Sequence, residues 1–259
     1  MTELLESQQS YERHLRQDPQ GRFVAHYGHY TLASVFQPIV GRDRQILAYE
    51  GLLRVVDTQG RPVAPDTLFH RVAASEEEFV HQANLDRLSR VIHLRNFAAT
   101  GLVLKLHLNV LPATAAATIG AQVRQELMRK RVEALGLIAR NIIFEVTEDH
   151  LVDEQSLATS VAQMRANGFD FSIDDFGSEG SSPARVRLIR PSIVKLDRTL
   201  LLQYEQGRHA PLLDALALAV EVAAVTVIEG VEDEVQFQMM REAGVDQFQG
   251  YHLGRPAAF

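Results

Sequence analysis

The chain has no cysteine, which excludes disulfides, zinc–thiolate centres and thiol nucleophiles. Basic residues are in the minority: 26 Lys and Arg stand against 33 Asp and Glu, a formal net charge of -7. Duplex DNA needs a basic face for its phosphates, so no DNA partner is expected. A small phosphate ligand stays compatible with acidity, because metal ions can supply positive charge locally. Long apolar runs are missing as well. The most apolar stretch, Ala215 to Ile228, is interrupted by Glu221 and is short for a membrane span. Met1 to Leu15 is charged throughout, unlike a signal peptide. Neither a sequence repeat nor a low-complexity segment is visible. These absences lead to the expectation of a soluble, cytoplasmic protein with no membrane span.

What is present suits a folded enzyme-sized domain. Hydrophobic residues make up 46% and charged residues 23% of 259 residues, enough for a sizeable core and normal for one α/β barrel. Residues 1–30 stand apart as a short N-terminal helical extension or linker, with a polar helix over Glu3–Leu15 and Pro19, Gly21 and Gly28 in the stretch from Gln17 to Tyr30. The main domain is expected over 31–259. There, β-rich runs at Ile46–Glu50, Leu102–Asn109, Asn141–Val146, Phe169–Asp174, Ile193–Leu196, Val225–Glu229 and Asp246–Gln249 alternate with helical segments. Helices are predicted from Glu76 toward Asn96 with Ser75 as cap, between Pro112 and Leu135, and at Glu154–Ala166, Pro211–Ala223 and Glu232–Ala243. Alternating strand and helix implies a mostly parallel sheet, and about seven or eight strands imply closure: an α/β fold, a TIM-like barrel in a single domain.

Nearly every predicted strand ends in a polar residue: Glu50, Asn109, Glu145, Asp174 with Asp175, Lys195, Glu229 and Gln249. Strand ends of a parallel barrel meet on one face, where such barrels do chemistry. Four or five carboxylates gathered there repel one another unless cations neutralise them. All-oxygen donors suit a hard ion such as Mg²⁺ or Mn²⁺, and two ions roughly 3.5–4 Å apart suit in-line attack on a phosphodiester. Each residue alone has a blander reading: a helix cap, a loop ion pair, or Lys195 paired with Asp197. His26 and His29 read as surface residues, Arg129-Lys130-Arg131 as a solvated helix face, and Glu76–Glu78 as a helix start.

The motifs also resemble a known family. Phe36-Gln37-Pro38-Ile39-Val40 followed by Tyr49-Glu50-Gly51-Leu52-Leu53-Arg54 is similar to the opening of an EAL domain. Leu108-Asn109-Val110, Phe144-Glu145-Val146-Thr147-Glu148, Asp174-Asp175-Phe176-Gly177, Lys195-Leu196-Asp197-Arg198, Glu229-Gly230-Val231-Glu232 and Gln249-Gly250-Tyr251 follow in family order. The resemblance covers about Phe36 to Phe259. It implies a TIM-like barrel that hydrolyses cyclic di-GMP to linear pGpG with two Mg²⁺ or Mn²⁺ ions. Glu50, Asn109, Glu145 and Asp174 would hold one metal and Asp175 the second, with Asp174 shared. Lys195 would orient the attacking water, Glu229 and Gln249 would complete the water and metal shell, and Lys195, Glu229 and Glu50 would form the catalytic group. Glu148 would anchor the loop after the aspartates; Gln37, Leu53 and Arg54 would hold the dinucleotide. Family members often dimerise through the barrel, so a homodimer is a further expectation; any regulatory partner is unknown. The chain departs from the family pattern in three places: Gly51 in place of alanine, Leu111 in place of serine, and Ser178-Glu179-Gly180 in place of Thr-Gly-Tyr. The last change leaves open a catalytically weak or inactive cyclic di-GMP receptor that signals to a protein partner. An enolase-like barrel, which also sets acids, metals and a lysine at strand ends, is the reading outside the family.

Overall fold

In the computed structural model, residues 4–5, 7–69, 75–110, 122–146, 154–178 and 182–259 are described. Two compact units are present, each built from more than one segment of chain.

The larger unit comprises Gln37–Glu50 and Leu104–Pro256. It holds the strands β6 (Lys105–Val110), β7 (Ile142–Val146), β8 (Asp170–Phe176), β9 (Ile193–Leu196), β10 (Val225–Ile228) and β11 (Gln247–Phe248), and the barrel segments of β3 (Tyr30–Gly41) and β4 (Ile46–Asp57). Their order is β3-β11-β10-β9-β8-β7-β6-β4, and a β3–β4 pairing closes the ring into an eight-stranded barrel. The pairings from β6 through β7, β8, β9 and β10 to β11 are parallel, whereas β3 meets β11 antiparallel, with Phe248 opposite Val40. The reversed strand follows from its connection: β3 and β4 are joined by a tight turn in which Arg44 adopts φ 64, and so short a link permits only a hairpin. Ile39, Ala48, Ile143, Ile193 and Val227 form a buried apolar cluster. Helices α4 (Gln122–Ala134), α5 (Glu154–Ala166), α6 (Pro183–Ile189), α7 (Arg198–Glu205), α8 (Ala210–Val222) and α9 (Glu234–Ala243) lie between the strands in sequence.

The smaller unit comprises Met1–Phe36, Gly51–Val103 and Ala257–Phe259. Strand β5 (Pro62–Val63) and helix α2 (Asp66–Phe69) precede helix α3 (Glu76–Ala99) in sequence; α3 starts at Ser75, whose side chain accepts from Glu78 N, and carries Glu76, Glu77 and Glu78 in its first turn, where the helix dipole favours acids. Leu85, Leu88 and Ile92 of this helix pack with Leu15, Ala25, Leu32 and Val55. Asn96 donates to Phe23 O and accepts from Phe23 N, at 2.8 and 2.7 Å.

The N-terminal region differs from the helix and linker read in the sequence. The helix is confined to α1 (Gln8–Glu12), and β1 (Leu15–Gln17) and β2 (Phe23–Tyr27) pair antiparallel. The Pro19–Gly21 stretch is their hairpin turn: Gly21 takes φ 81 and the Asp18 carboxylate accepts from Gln20 N and Arg22 N. Strand β1 to β3 pairing then buries Ala25 and Leu32 against α3, a tertiary gain that outweighs local helix preference. Among the described residues, no helix is long and apolar enough to cross a membrane.

Candidate metal centre

Side chains along a strand alternate faces, so residues two apart share one. Ala48, Ile143, Ile193 and Val227 belong to the buried apolar cluster of the larger unit. Two residues further on come Glu50, Glu145 and Lys195 on the same strands and Glu229 just past the end of β10. One period of strand therefore carries the chain from an apolar layer to a charged one.

Lys195 is the hub of that layer. Its Nζ lies 2.6 Å from Glu229, 2.8 Å from Asp174, 3.1 Å from Glu145 and 3.4 Å from Glu50. Its side chain is 1% exposed. The blander pairing with Asp197 does not occur, because Asp197 caps α7 and accepts from Thr199 N. Glu50 is tied from both sides: Asn109 Nδ2 donates to Oε1 at 3.2 Å, and Gln249 Nε2 donates to Oε2 at 2.7 Å. Glu145 Oε1 also pairs with His107 Nδ1 at 2.9 Å, both side chains being fully buried.

Asp174 and Asp175 are neighbours and would point to opposite faces of a regular strand. The register between β8 and β9 shifts between Ile173 and Phe176, and Asp175 adopts φ 57. Such bulges re-aim side chains next to active sites. Here the result is that carboxylate oxygens of Asp174, Asp175 and Glu229 all lie within 4.8 Å of one another. The adjoining turns depend on glycine. A Cβ on Gly177, at φ 101, would sit 2.5 Å from the Leu200 side chain, and one on Gly250 would sit 2.0 Å from Val231 O.

The electrostatics follow from five carboxylates facing one ammonium. Burial works against the charged form of Lys195, but Asp174, Glu145, Glu229 and Glu50 hold its pKa well above the ordinary lysine value. Burial pushes Glu229 up to about 8 against the pull of Lys195, with Asp174 and Glu50 adding to the rise. Burial likewise raises Glu145 well above the usual carboxylate range. Asp175 is raised to about 6 by burial and by Asp174. Glu50 resists burial and stays below its ordinary value through Lys195, Gln249, His107 and Asn109. His107 is depressed to about 3, first by burial and then by Lys195.

The same residues fit divalent cations. Donors are carboxylates and amide carbonyls, the hard oxygen set that Mg²⁺ and Mn²⁺ take. With every acid ionised, five carboxylates against one ammonium leave four uncompensated negative charges. Glu145 Oε2 and Gln249 Oε1 are buried without a hydrogen-bond partner, a costly state unless a ligand completes them.

Of the residues singled out in the sequence, Glu50, Asn109, Glu145, Asp174, Asp175, Lys195, Glu229 and Gln249 are thus brought together within the larger unit. Gln37 is also there, buried, with Nε2 donating to Gly254 O at 3.1 Å. Leu53 and Arg54 belong to the smaller unit, where Leu53 packs on the apolar core and exposed Arg54 donates to Leu53 O. Glu148, Leu111, Glu179 and Gly180 lie outside the described residues. Gly51 continues β4 as regular strand. His26 and His29 are exposed, and Arg129 and Lys130 pair with Glu133 and Glu126 on the surface of α4. His107 was not anticipated. It stands two residues before Asn109 on β6, so strand alternation alone places it on the same face.

The chain is similar to several known proteins. Residues 27–256 match the family described as EAL domain. The cyclic di-GMP phosphodiesterase RocR of Pseudomonas aeruginosa is 30% identical over 165 residues, 62% of this chain and 41% of RocR. The probable cyclic di-GMP phosphodiesterase PdeN of Escherichia coli is 33% identical over 117 residues, 44% of this chain and 23% of PdeN. The chain therefore spans less than half the length of these curated relatives. Among solved structures, a standalone EAL protein from Vibrio cholerae in its cyclic di-GMP-bound form superposes with a TM-score of 0.75 at 26% identity, covering 89% of this chain and 94% of that one. Klebsiella pneumoniae BlrP1, in a complex with manganese and cyclic di-GMP, gives 0.72 at 21% identity, over 87% of this chain and 56% of that one. By the match along most of its length, the chain belongs to the EAL domain family.

Proposed function

We propose that this protein hydrolyses cyclic di-GMP to linear pGpG in a metal-dependent reaction, with residues 31–259 as the phosphodiesterase domain. The observation that carries the reading is Lys195 clasped by Asp174, Glu229, Glu145 and Glu50 beside a three-carboxylate set of Asp174, Asp175 and Glu229. Glu50, Asn109, Glu145, Asp174, Asp175, Glu229 and Gln249 would hold two Mg²⁺ or Mn²⁺ ions, which would supply Lewis acidity to a water and charge stabilisation to the phosphoryl oxygens.

The chain's own groups do the rest. Asn109 and Gln249 hold both oxygens of Glu50 and fix its orientation. Lys195 favours the ionised form of the carboxylates around it, against burial and their mutual repulsion, and offers ammonium protons to orient the attacking water. Glu229, half-buried at 23% side-chain exposure, is placed to accept the proton the water gives up. Attack of water oxygen on phosphorus breaks one P–O ester bond, and the released sugar oxygen takes up a proton, giving the linear product. Gln37, Leu53 and Arg54 keep the dinucleotide-holding roles and Glu148 the loop-anchoring role that the family motifs imply.

The test compares wild type with E50A. Wild type with Mg²⁺ or Mn²⁺ should convert cyclic di-GMP to pGpG, and E50A should lose turnover while keeping its circular dichroism spectrum. Normal activity in E50A would remove the metal assignment. Binding of cyclic di-GMP by wild type without cleavage would favour the receptor reading.

A further inference from the structure

We propose that His107 is a positioning residue for Glu145, holding one carboxylate oxygen so that the other stays free as a metal-ligand atom. The inference rests on the reading of Glu145 as a metal ligand.

Glu145 Oε1 is engaged twice, by His107 Nδ1 at 2.9 Å and by Lys195 Nζ at 3.1 Å, whereas Oε2 is buried without a partner. The ammonium cannot fix the carboxylate's rotation, because it is shared among four acids. An imidazole N–H is directional and sits in a ring locked by packing, with both side chains fully buried. A ligand to a cation must be ionised, and an ionised carboxylate only accepts, so the proton of this pair is on Nδ1. The other tautomer would point a bare ring nitrogen at the carboxylate and leave an N–H stranded, since Nε2 is itself buried without a partner. His107 faces Ile143 in the β6–β7 register, two pairs before Asn109 and Glu145. It therefore lies level with Ile143 of the apolar layer, where it braces Glu145 from below. Partners of this kind around a metal ligand commonly change affinity when lost, by about 10–100-fold.

Two substitutions separate positioning from packing. H107L keeps much of the volume and removes the donor; H107N places an amide N–H near the position of Nδ1. Mn²⁺ affinity is read by electron paramagnetic resonance on metal-free protein without nucleotide, alongside the melting temperature in chelator. H107L should bind Mn²⁺ about 10–100-fold more weakly while still melting cooperatively, the lost hydrogen bond to Glu145 Oε1 being offset in part by removal of the unpaired buried Nε2. H107N should recover most of the affinity. H107Q, whose amide reaches past the Nδ1 position, should not, and the contrast between these two polar variants decides the matter if H107L does not fold. Wild-type Mn²⁺ affinity in H107L, or equal affinities in H107N and H107Q, would overturn the role of His107 alone. Failure of wild type to bind Mn²⁺ would overturn the metal site and this inference with it.

Discussion

Replacing Lys195 with methionine removes the ammonium that lies within 3.4 Å of four carboxylates. Methionine fills similar space, so the loss is one of charge rather than volume. Breaking a buried ion pair by deleting one partner costs about 3–5 kcal/mol. For a chain of this size that is a fall in melting temperature of roughly 6–20 °C, at about 2–4 °C per kcal/mol. The loss should depend on pH, because the stranded acids can take up protons. Burial already raises Glu229 to about 8 and Asp175 to about 6 with the ammonium present, and its removal raises them further. A carboxyl whose folded pKa lies above its unfolded value stabilises fully below the unfolded value and loses that stability as pH rises through the folded one. K195M in chelator should therefore differ little from wild type at pH 5 and melt well below it at pH 8. With Mn²⁺ and cyclic di-GMP, turnover should fall by about 10²–10⁴-fold. Differential scanning calorimetry at the two pH values provides the assay. An equal deficit at pH 5 and pH 8, or none at pH 8, would refute the buried-charge reasoning.

The same signs apply to the wild-type protein. Metal-free, it should lose stability as pH rises from about 5 to 8 across the raised values of Asp175 and Glu229, and Mn²⁺ at 100 times its dissociation constant should return about 2.7 kcal/mol. A melting temperature unmoved by Mn²⁺ at pH 8 would contradict this. Gly177→Ala places a Cβ 2.5 Å from Leu200 at φ 101, a conformation costing on the order of 1–3 kcal/mol. It should lower both the melting temperature and turnover by displacing Asp175; a variant with wild-type values for both would show that the turn is not constrained.

The sequence made the barrel strands legible because each couples an apolar run to a polar end. Ile193–Leu196 and Glu154–Ala166 have the bounds expected of them, and Val225–Ile228 stops one residue early. The expected start of a strand at Leu102 fails: Gly101 turns at φ 69, Val103 is 75% exposed, and β6 begins at Lys105. The last helix starts at Glu234 rather than Glu232 because Asp233 caps it, accepting from Gln236 N. Strand β3, short helices α6 and α7, and hairpin β1–β2 were not expected. Pro38 obscured the first, and the others gain their stability from contacts distant in sequence, which local pattern does not show. Most of the acidic site was legible through family-like motifs. Asp175 was named through its motif, but the bulge that turns it toward Asp174 was not, because a bulge is a property of strand pairing. His107 was not either, since a histidine on a strand carries no motif, although its two-residue offset from Asn109 was there to be read.

The most direct measurement is chromatography of cyclic di-GMP incubated with the purified protein and Mg²⁺ or Mn²⁺, with a chelator control. Appearance of pGpG that stops when the metal is removed is the predicted result. Product formed equally in chelator, or nucleotide bound and left intact with either metal, would contradict metal-dependent hydrolysis at the Lys195 cluster.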